Sequence, residues 1–257
     1  SSGAGTPGEN AMVARHVAMT AEDGTWRTFL AAQPPTADYA PHTLVATGGG
    51  STARLTGIVF GDVWLCSGQS NMDHPMTSIV NASAEITAAN AQSDSVRLLK
   101  VKHTCATVER IVEYDDLQGL ETRWSRATDV TVSNFSATCW LTGSMLQRRL
   151  GYPVGLIDSS WAGVAITPLM SEASCARCGI DATIGCDTGH PPEPQNATSV
   201  YNTMIAPLHS TTIFGVLWWQ GEASGAGCPA QRNTTQATYY CLWQSMIQDW
   251  RARWHAG

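Results

Sequence analysis

Clustered basic charge is missing from this sequence. Its 257 residues hold 15 Lys and Arg against 21 Asp and Glu, a net charge of −6, and the cations form no long run. Nucleic-acid binding is therefore excluded as a main function, because neutralising a phosphate backbone needs grouped Lys and Arg. No apolar run approaches the ~20 residues of a helical membrane span. Internal repeats and low-complexity runs are absent too, which excludes solenoids and linker-like chains. The first residues, Ser1-Ser2-Gly3, lack the charged and apolar pattern of a leader, so any signal peptide is expected outside these residues. Cys175-Ala-Arg-Cys178 is followed by no second C-x-x-C and no H-x-x-x-H at metal-ligand spacing. A disulfide loop thus outranks a zinc site or a redox pair there, and no cofactor or metal is implied.

What is present points to the secretory route. The eight cysteines (66, 105, 139, 175, 178, 186, 228 and 241) would become cross-links in an oxidising compartment, with a pairing that spacing alone leaves open. Asn81-Ala-Ser83, Asn134-Phe-Ser136, Asn196-Ala-Thr198 and Asn233-Thr-Thr235 match the N-glycosylation acceptor pattern. A secreted or lysosomal glycoprotein is the resulting expectation. The length allows one core of roughly 200 residues plus a smaller piece.

Periodicity divides the chain near residue 55. Between Ala11 and Leu55 the short alternating segments HVAMT, TWRTFL and HTLVAT are broken by Gly and Pro, which predicts part of a small antiparallel β module over 1–54. From 55 to 257, strands and helices alternate. That is the pattern of an α/β domain with a mostly parallel sheet and helices on both faces. The strands fall at Leu55–Leu65, Val96–Val101, Val154–Ile157 and Ile213–Trp219, and helices at Phe135–Leu150, behind the candidate cap Asn134, and at Ser199–Ile205. Tyr239, Leu242, Trp243, Met246, Ile247, Trp250 and Trp254 recur at steps of three and four, the stripe of a final helix packed on the sheet.

The chemistry centres on Gly61-Asp-Val-Trp-Leu-Cys-Ser-Gly-Gln-Ser70-Asn-Met72. A β-branched, aromatic strand stops at Ser67-Gly68, and the turn leaves the Ser70 hydroxyl at a carboxyl edge, where open α/β sheets bind ligands. That placement suits a nucleophile. Gly163 follows the Val154 strand and can bring a main-chain N–H close to substrate, while Gln220 follows the next strand with a side-chain amide; both are candidate oxyanion donors. Glu222 is a candidate for orienting the loop or touching the substrate. Asn71, His74 and Trp161 are candidate substrate contacts, Trp161 by stacking on a sugar. The α/β-hydrolase elbow fits less well, since Met72 stands where G-x-S-x-G has its second glycine.

The segment GDVWLCSGQSNM resembles the nucleophile block of the sialate O-acetylesterases, a branch of the SGNH-type hydrolases. Ser159-Ser160-Trp161-Ala162-Gly163 is similar to the S-S-W-G-G block of that family, and Trp218-Trp219-Gln220-Gly221-Glu222-Ala223 to its W-Y-Q-G-E-S block. The three occur in family order, and the likeness runs from about Glu9 to the last residue, covering the middle of a family member. The resemblance implies an SGNH-like three-layer α/β/α fold and a serine carboxylesterase acting on acetyl esters through Ser70, Gly163 and Gln220. Ala162 replaces a family glycine, and Val164 stands where threonine or serine is common.

The resemblance places the catalytic histidine in a D-x-x-H block beyond the last helix, which is not found before Gly257. That Asp and His are expected from a further segment or a second chain, and these residues alone are expected to turn over slowly. Of the seven histidines (16, 42, 74, 103, 190, 209 and 255), none has the setting of a base. Asp187-Thr-Gly-His190 has the D-x-x-H spacing but precedes the Gln220 strand. His255 suits a helix-end role. The leading expectation is removal of O-acetyl groups from sialic acids. Acetylated xylan is a sister substrate, and a silent carbohydrate-binding glycoprotein the alternative of another class.

Overall fold

Side chains that alternate between two faces of one sheet define the architecture of the computed structural model, which describes residues 15–36, 38–106, 119–182, 196–226 and 236–255. Asp187, His190, Asn233, Cys186 and Cys228 lie outside the described residues. The chain divides into two compact units, Ser1–Pro34 and Pro35–Gly257. Within the first, described residues 15–34 form no strand; Val17, Met19, Trp26 and Phe29 are exposed. The alternation in HVAMT and TWRTFL finds no partner strand there, and pairing rather than propensity makes a strand.

The second unit opens with an antiparallel hairpin of β1 (His42–Gly48) and β2 (Ser51–Ile58). A five-stranded sheet in the order β5-β4-β6-β3-β7 follows. Its members are β3 (Asp62–Gly68), β4 (Val96–Val101), β5 (Leu120–Arg126), β6 (Val154–Ser160) and β7 (Gly215–Trp219). Strands β4, β6, β3 and β7 are parallel, and β5 runs antiparallel to β4. The expected strand Leu55–Leu65 is two strands in two sheets. The chain breaks at Phe60-Gly61, where a side chain on Gly61 would collide with the Pro153 carbonyl.

On one face Trp64, Cys66, Leu98, Val154, Leu156 and Leu217 pack with α2 (Ala82–Ala89), α3 (Asp129–Ser133) and α4 (Ala137–Leu150). On the other, Leu65, Leu99, Val101, Ile157 and Trp218 pack against α5 (Glu172–Ala176) and α6 (Gln236–His255). The molecule is thus an α/β three-layer, SGNH-like fold with a mostly parallel sheet. Central β6 is buried at every residue, as a parallel strand covered on both faces must be. Within the α6 stripe Leu242, Met246 and Trp250 are buried and Tyr239, Trp243, Ile247 and Trp254 half-buried, and Trp218 meets Trp243 at 5.4 Å and Trp250 at 5.8 Å, with Trp254 5.7 Å from Trp250. Among the described residues no helix is long and apolar enough to cross a membrane.

Local details depart from the pattern. Helix α4 is capped by Ser136, whose hydroxyl accepts the Cys139 N–H, and not by Asn134; the Asn134 carbonyl accepts from Lys100 Nζ instead, at 2.7 Å. The Ser199–Ile205 helix is a wide π turn, Tyr201–Ile205, that tightens into a 3₁₀ segment, Ala206–Ser210. Cys175 and Cys178 do not share a bridge: Cys178 pairs with Cys241, while Cys175 is buried and free. Cys66 pairs with Cys139, tying β3 to α4.

Candidate active site

Register aligns the strand ends before any side chain is considered. Gly68 at the end of β3 lies beside Ser160 of β6 and Trp219 of β7, so Ser70, the Trp161–Gly163 loop and Gln220 emerge at one carboxyl edge. Ser70 is the first residue of α1 (Ser70–Asp73) and is exposed. Gly68 makes this turn at φ +140°, with the Trp219 carbonyl where a β-carbon would go. Gly163 sits at φ +79°, a conformation that favours glycine.

Gln69, only 3% exposed, joins the Ser70 turn to the segment after β7. Its Oε1 accepts from Gln220 Nε2 at 3.0 Å, the Ala223 N–H at 2.9 Å and the Gly221 N–H at 3.4 Å, and its Nε2 lies 3.5 Å from Ser70 Oγ. Gln220 Nε2 also reaches the Val164 carbonyl at 3.1 Å and Ser224 Oγ at 2.9 Å. The Tyr239 hydroxyl of α6 lies 2.9 Å from Gln220 Oε1 and 3.1 Å from the Gln220 carbonyl. A part-buried network satisfied at this many points holds one geometry. Asn71 Nδ2 donates to Glu222 Oε1 at 2.5 Å, linking α1 to the segment after β7. His74 is exposed beside α1, and its carbonyl accepts the Ala137 N–H at 2.8 Å; its side chain joins none of these contacts.

A charged cluster that local spacing did not reveal lies between α1 and β6. Asp73 Oδ2 accepts the Ala162 N–H at 2.9 Å, and Asp73 Oδ1 is 3.4 Å from His103 Nε2. His103 Nε2 is 2.9 Å from the Ser160 carbonyl, and its ring stacks on Trp161 at 4.7 Å. Burial lowers the His103 pKa, but the hydrogen bond and charge of Asp73 outweigh it, so the net direction is upward. Beneath them Asp158 is fully buried. It accepts from the Ser160 hydroxyl at 2.6 Å, and among the described residues its Oδ2 has no hydrogen-bond partner. Burial pushes its carboxyl up to about 6.

That shift carries a stability prediction. A carboxyl raised above its ordinary 3.8 binds its proton more tightly when folded, so its contribution is greatest at low pH and lost as pH rises through about 6. His209, which burial pushes down to about 4, has the opposite sign: its contribution is full above its ordinary value of 6.5 and lost as pH falls toward 4. In the native protein the two oppose each other across this window. Asp158→Asn removes one, and its stability relative to the native protein is expected to rise by on the order of 2 kcal/mol between about pH 4 and pH 7. Urea unfolding at both pH values checks this; a constant difference refutes it.

The sequence profile of the carbohydrate esterase family described as sialic acid-specific acetylesterase matches residues 60–256. The chain belongs to this family. Its acetylesterase relatives include the sialate O-acetylesterases of Homo sapiens and Pongo abelii, each 33% identical over 258 residues, a match covering 97% of this chain and 47% of theirs. The chain therefore spans about half the length of these curated relatives. A solved carbohydrate acetylesterase from Xanthomonas citri superposes with a TM-score of 0.74 at 28% identity, covering 91% of this chain and 47% of that one. Gln69 thus holds the Ser70 turn to the segment after β7, and Gln220 ties that segment to the Gly163 loop through the Val164 carbonyl.

Proposed function

We propose that this chain carries the acyl-transfer site of a serine carboxylesterase that removes O-acetyl groups from sialic acids, working in the secretory pathway. The carrying observation is the convergence of exposed Ser70, the Gly163 turn and Gln220 at one sheet edge. Ser70 Oγ attacks the acetyl carbonyl and loses its proton to a general base. The tetrahedral oxyanion is stabilised by the Gly163 N–H and by the Gln220 amide, one N–H of which turns to it from the Val164 carbonyl or Ser224 hydroxyl, each donor worth roughly 3 kcal/mol. Collapse breaks the bond to the sugar oxygen, which takes up a proton, and leaves acetyl on Ser70. Water then attacks the acyl-enzyme, releasing acetate and restoring the hydroxyl. Among the described residues Gln69 is the hydrogen-bond partner of Ser70, so this geometry does not itself assign the base. Exposed Asn81, Asn134 and Asn196 and the two disulfides support the secretory setting.

A fluorophosphonate tests the nucleophile: Ser70 Oγ displaces fluoride, and the labelled peptide is expected to contain residue 70. Labelling at another serine, or undiminished labelling of Ser70→Ala, overturns the assignment.

One observation favours a second substrate, a neutral acetylated polysaccharide such as xylan. Glu222 is bonded to Asn71, the residue after Ser70, and Asp73 ends the same helix. A sialate carboxylate would approach like charge there, whereas a neutral sugar would not. On this reading kcat/KM for acetylated xylo-oligosaccharides exceeds that for O-acetylated sialic acid by about threefold or more, and salt narrows the gap by screening. A preference for the sialate that weakens with salt would instead restore the first substrate.

A further inference from the structure

The mechanism above leaves Asp73 and His103 without a part, yet their contacts fall on the three residues before Gly163. The Ser160 carbonyl lies 2.9 Å from His103 Nε2, the Trp161 ring is stacked under the His103 imidazole at an interplanar angle of 6°, and the Ala162 N–H donates to Asp73 Oδ2 at 2.9 Å. Asp73 closes the helical turn that Ser70 opens, and its side chain is only 12% exposed. The Trp161 N–H donates to the Gly68 carbonyl at 3.1 Å, so the same loop is also bonded to the turn that aims the nucleophile.

We propose that Asp73 and His103 are positioning residues: together they brace the nucleophile helix against the Gly163 loop and fix the separation between Ser70 Oγ and the Gly163 N–H. The inference rests on the proposed roles of Ser70 and Gly163 and adds what sets the distance between them. The physical requirement is strict. An oxyanion donor acts only if it already stands where charge will develop, and a misplacement of about 1 Å costs on the order of 10²-fold in rate. A loop on its own does not hold that tolerance; a mostly shielded carboxylate gripping one of its N–H groups, with a stacked ring on the adjacent residue, does.

The brace is sensitive to pH through His103. The charged and titratable groups around that ring are Asp73 from α1, Asp158 from β6 and Lys100 from β4; Lys100 is itself paired with Glu121 of β5 at 3.5 Å. Asp73 favours the imidazolium, so the ion pair is complete in acid and disappears as pH rises through the raised His103 pKa. Aromatic stacking and the Asp73 bond to Ala162 remain above it. The alkaline form is therefore a looser brace, not an absent one.

The test follows fluorophosphonate labelling of Ser70 and hydrolysis of an aryl acetate across pH, in the native protein and in Asp73→Ala, Asp73→Asn, His103→Phe and Ser70→Ala, with folding checked by circular dichroism. Asp73→Ala is expected to slow labelling and kcat by about tenfold to thirtyfold while KM moves less than about twofold. Asp73→Asn keeps an acceptor for the Ala162 N–H and recovers part of that loss. His103→Phe keeps a ring on Trp161 but loses the ion pair, and with it the fall in labelling rate through the His103 ionisation. Combining Asp73→Ala with His103→Phe gives a loss no larger than about that of the worse single change, since the two act as one unit. Folded Asp73→Asn and His103→Phe proteins with native rates and a native pH profile would overturn the brace. Failure of the underlying reading looks different: Ser70→Ala then labels and hydrolyses as well as the native protein.

Discussion

In a form of the protein that supplies the catalytic base, Ser70→Ala is expected to lower acetyl ester hydrolysis by roughly 10⁴-fold or more, the scale seen when the nucleophile of a serine hydrolase is removed. The structure makes this a clean experiment. Ser70 is exposed, and among the described residues its hydroxyl has one hydrogen-bond partner, Gln69 Nε2 at 3.5 Å. Little folding energy depends on it, and surface changes of this kind are usually within about 0.5 kcal/mol. Activity should vanish while the urea midpoint stays in place. Retained turnover in a folded Ser70→Ala protein would show that the nucleophile is elsewhere.

Gly68→Ala should damage the same chemistry through the backbone. The residue combines a φ of +140° with a Trp219 carbonyl standing where the new methyl would be placed. A non-glycine residue is strained there whatever the space, and the collision is with main chain that cannot swing aside. Relief requires β3 and β7 to part at the end where Gln69 N–H donates to the Trp219 carbonyl at 2.9 Å. The expected cost is roughly 3 kcal/mol or more in stability, together with at least about a 10²-fold loss of Ser70 labelling in whatever fraction folds. Thermal unfolding and labelling of the folded fraction read the two effects separately. Native behaviour in both would mean that the turn does not aim the serine.

These two residues also mark how far the sequence could be read. Gly68 and Ser70 were visible because a strand, a small residue and a polar turn are local signals, and the α6 stripe because its spacing repeats over several turns. The end of β3 was legible for that reason, but its beginning was not: nothing in Leu55–Leu65 announces that the Pro153 backbone crowds Gly61. Gln69 shows the limit most clearly. It lies inside the motif beside Ser70, yet its work is to join segments 151 to 154 residues away, and no local pattern encodes such a contact.

Periodicity places Tyr239 only within an apolar stripe, although its hydroxyl reaches Gln220 from α6. Its ring obeys the periodicity while its polar tip serves the site. His103 and Asp73 were invisible as a pair because their separation in the chain has no characteristic length. For Cys175 and Cys178 the short spacing was misleading, since partner choice follows the direction of each side chain in the fold, and Cys178 points to α6.

The indoles gathered between β7 and α6 supply a natural optical gauge. Trp218, Trp243, Trp250 and Trp254 form a chain of ring contacts between 5.4 and 5.8 Å, beside the strand that leads into Gln220. Chromophores fixed this closely and asymmetrically give strong near-ultraviolet ellipticity, which fades when packing loosens even if the helices persist. That signal reports the integrity of the Gln220 flank without any added dye, whereas the Ser70 flank, resting on Phe135 and Trp140 across the sheet, contributes a separate component.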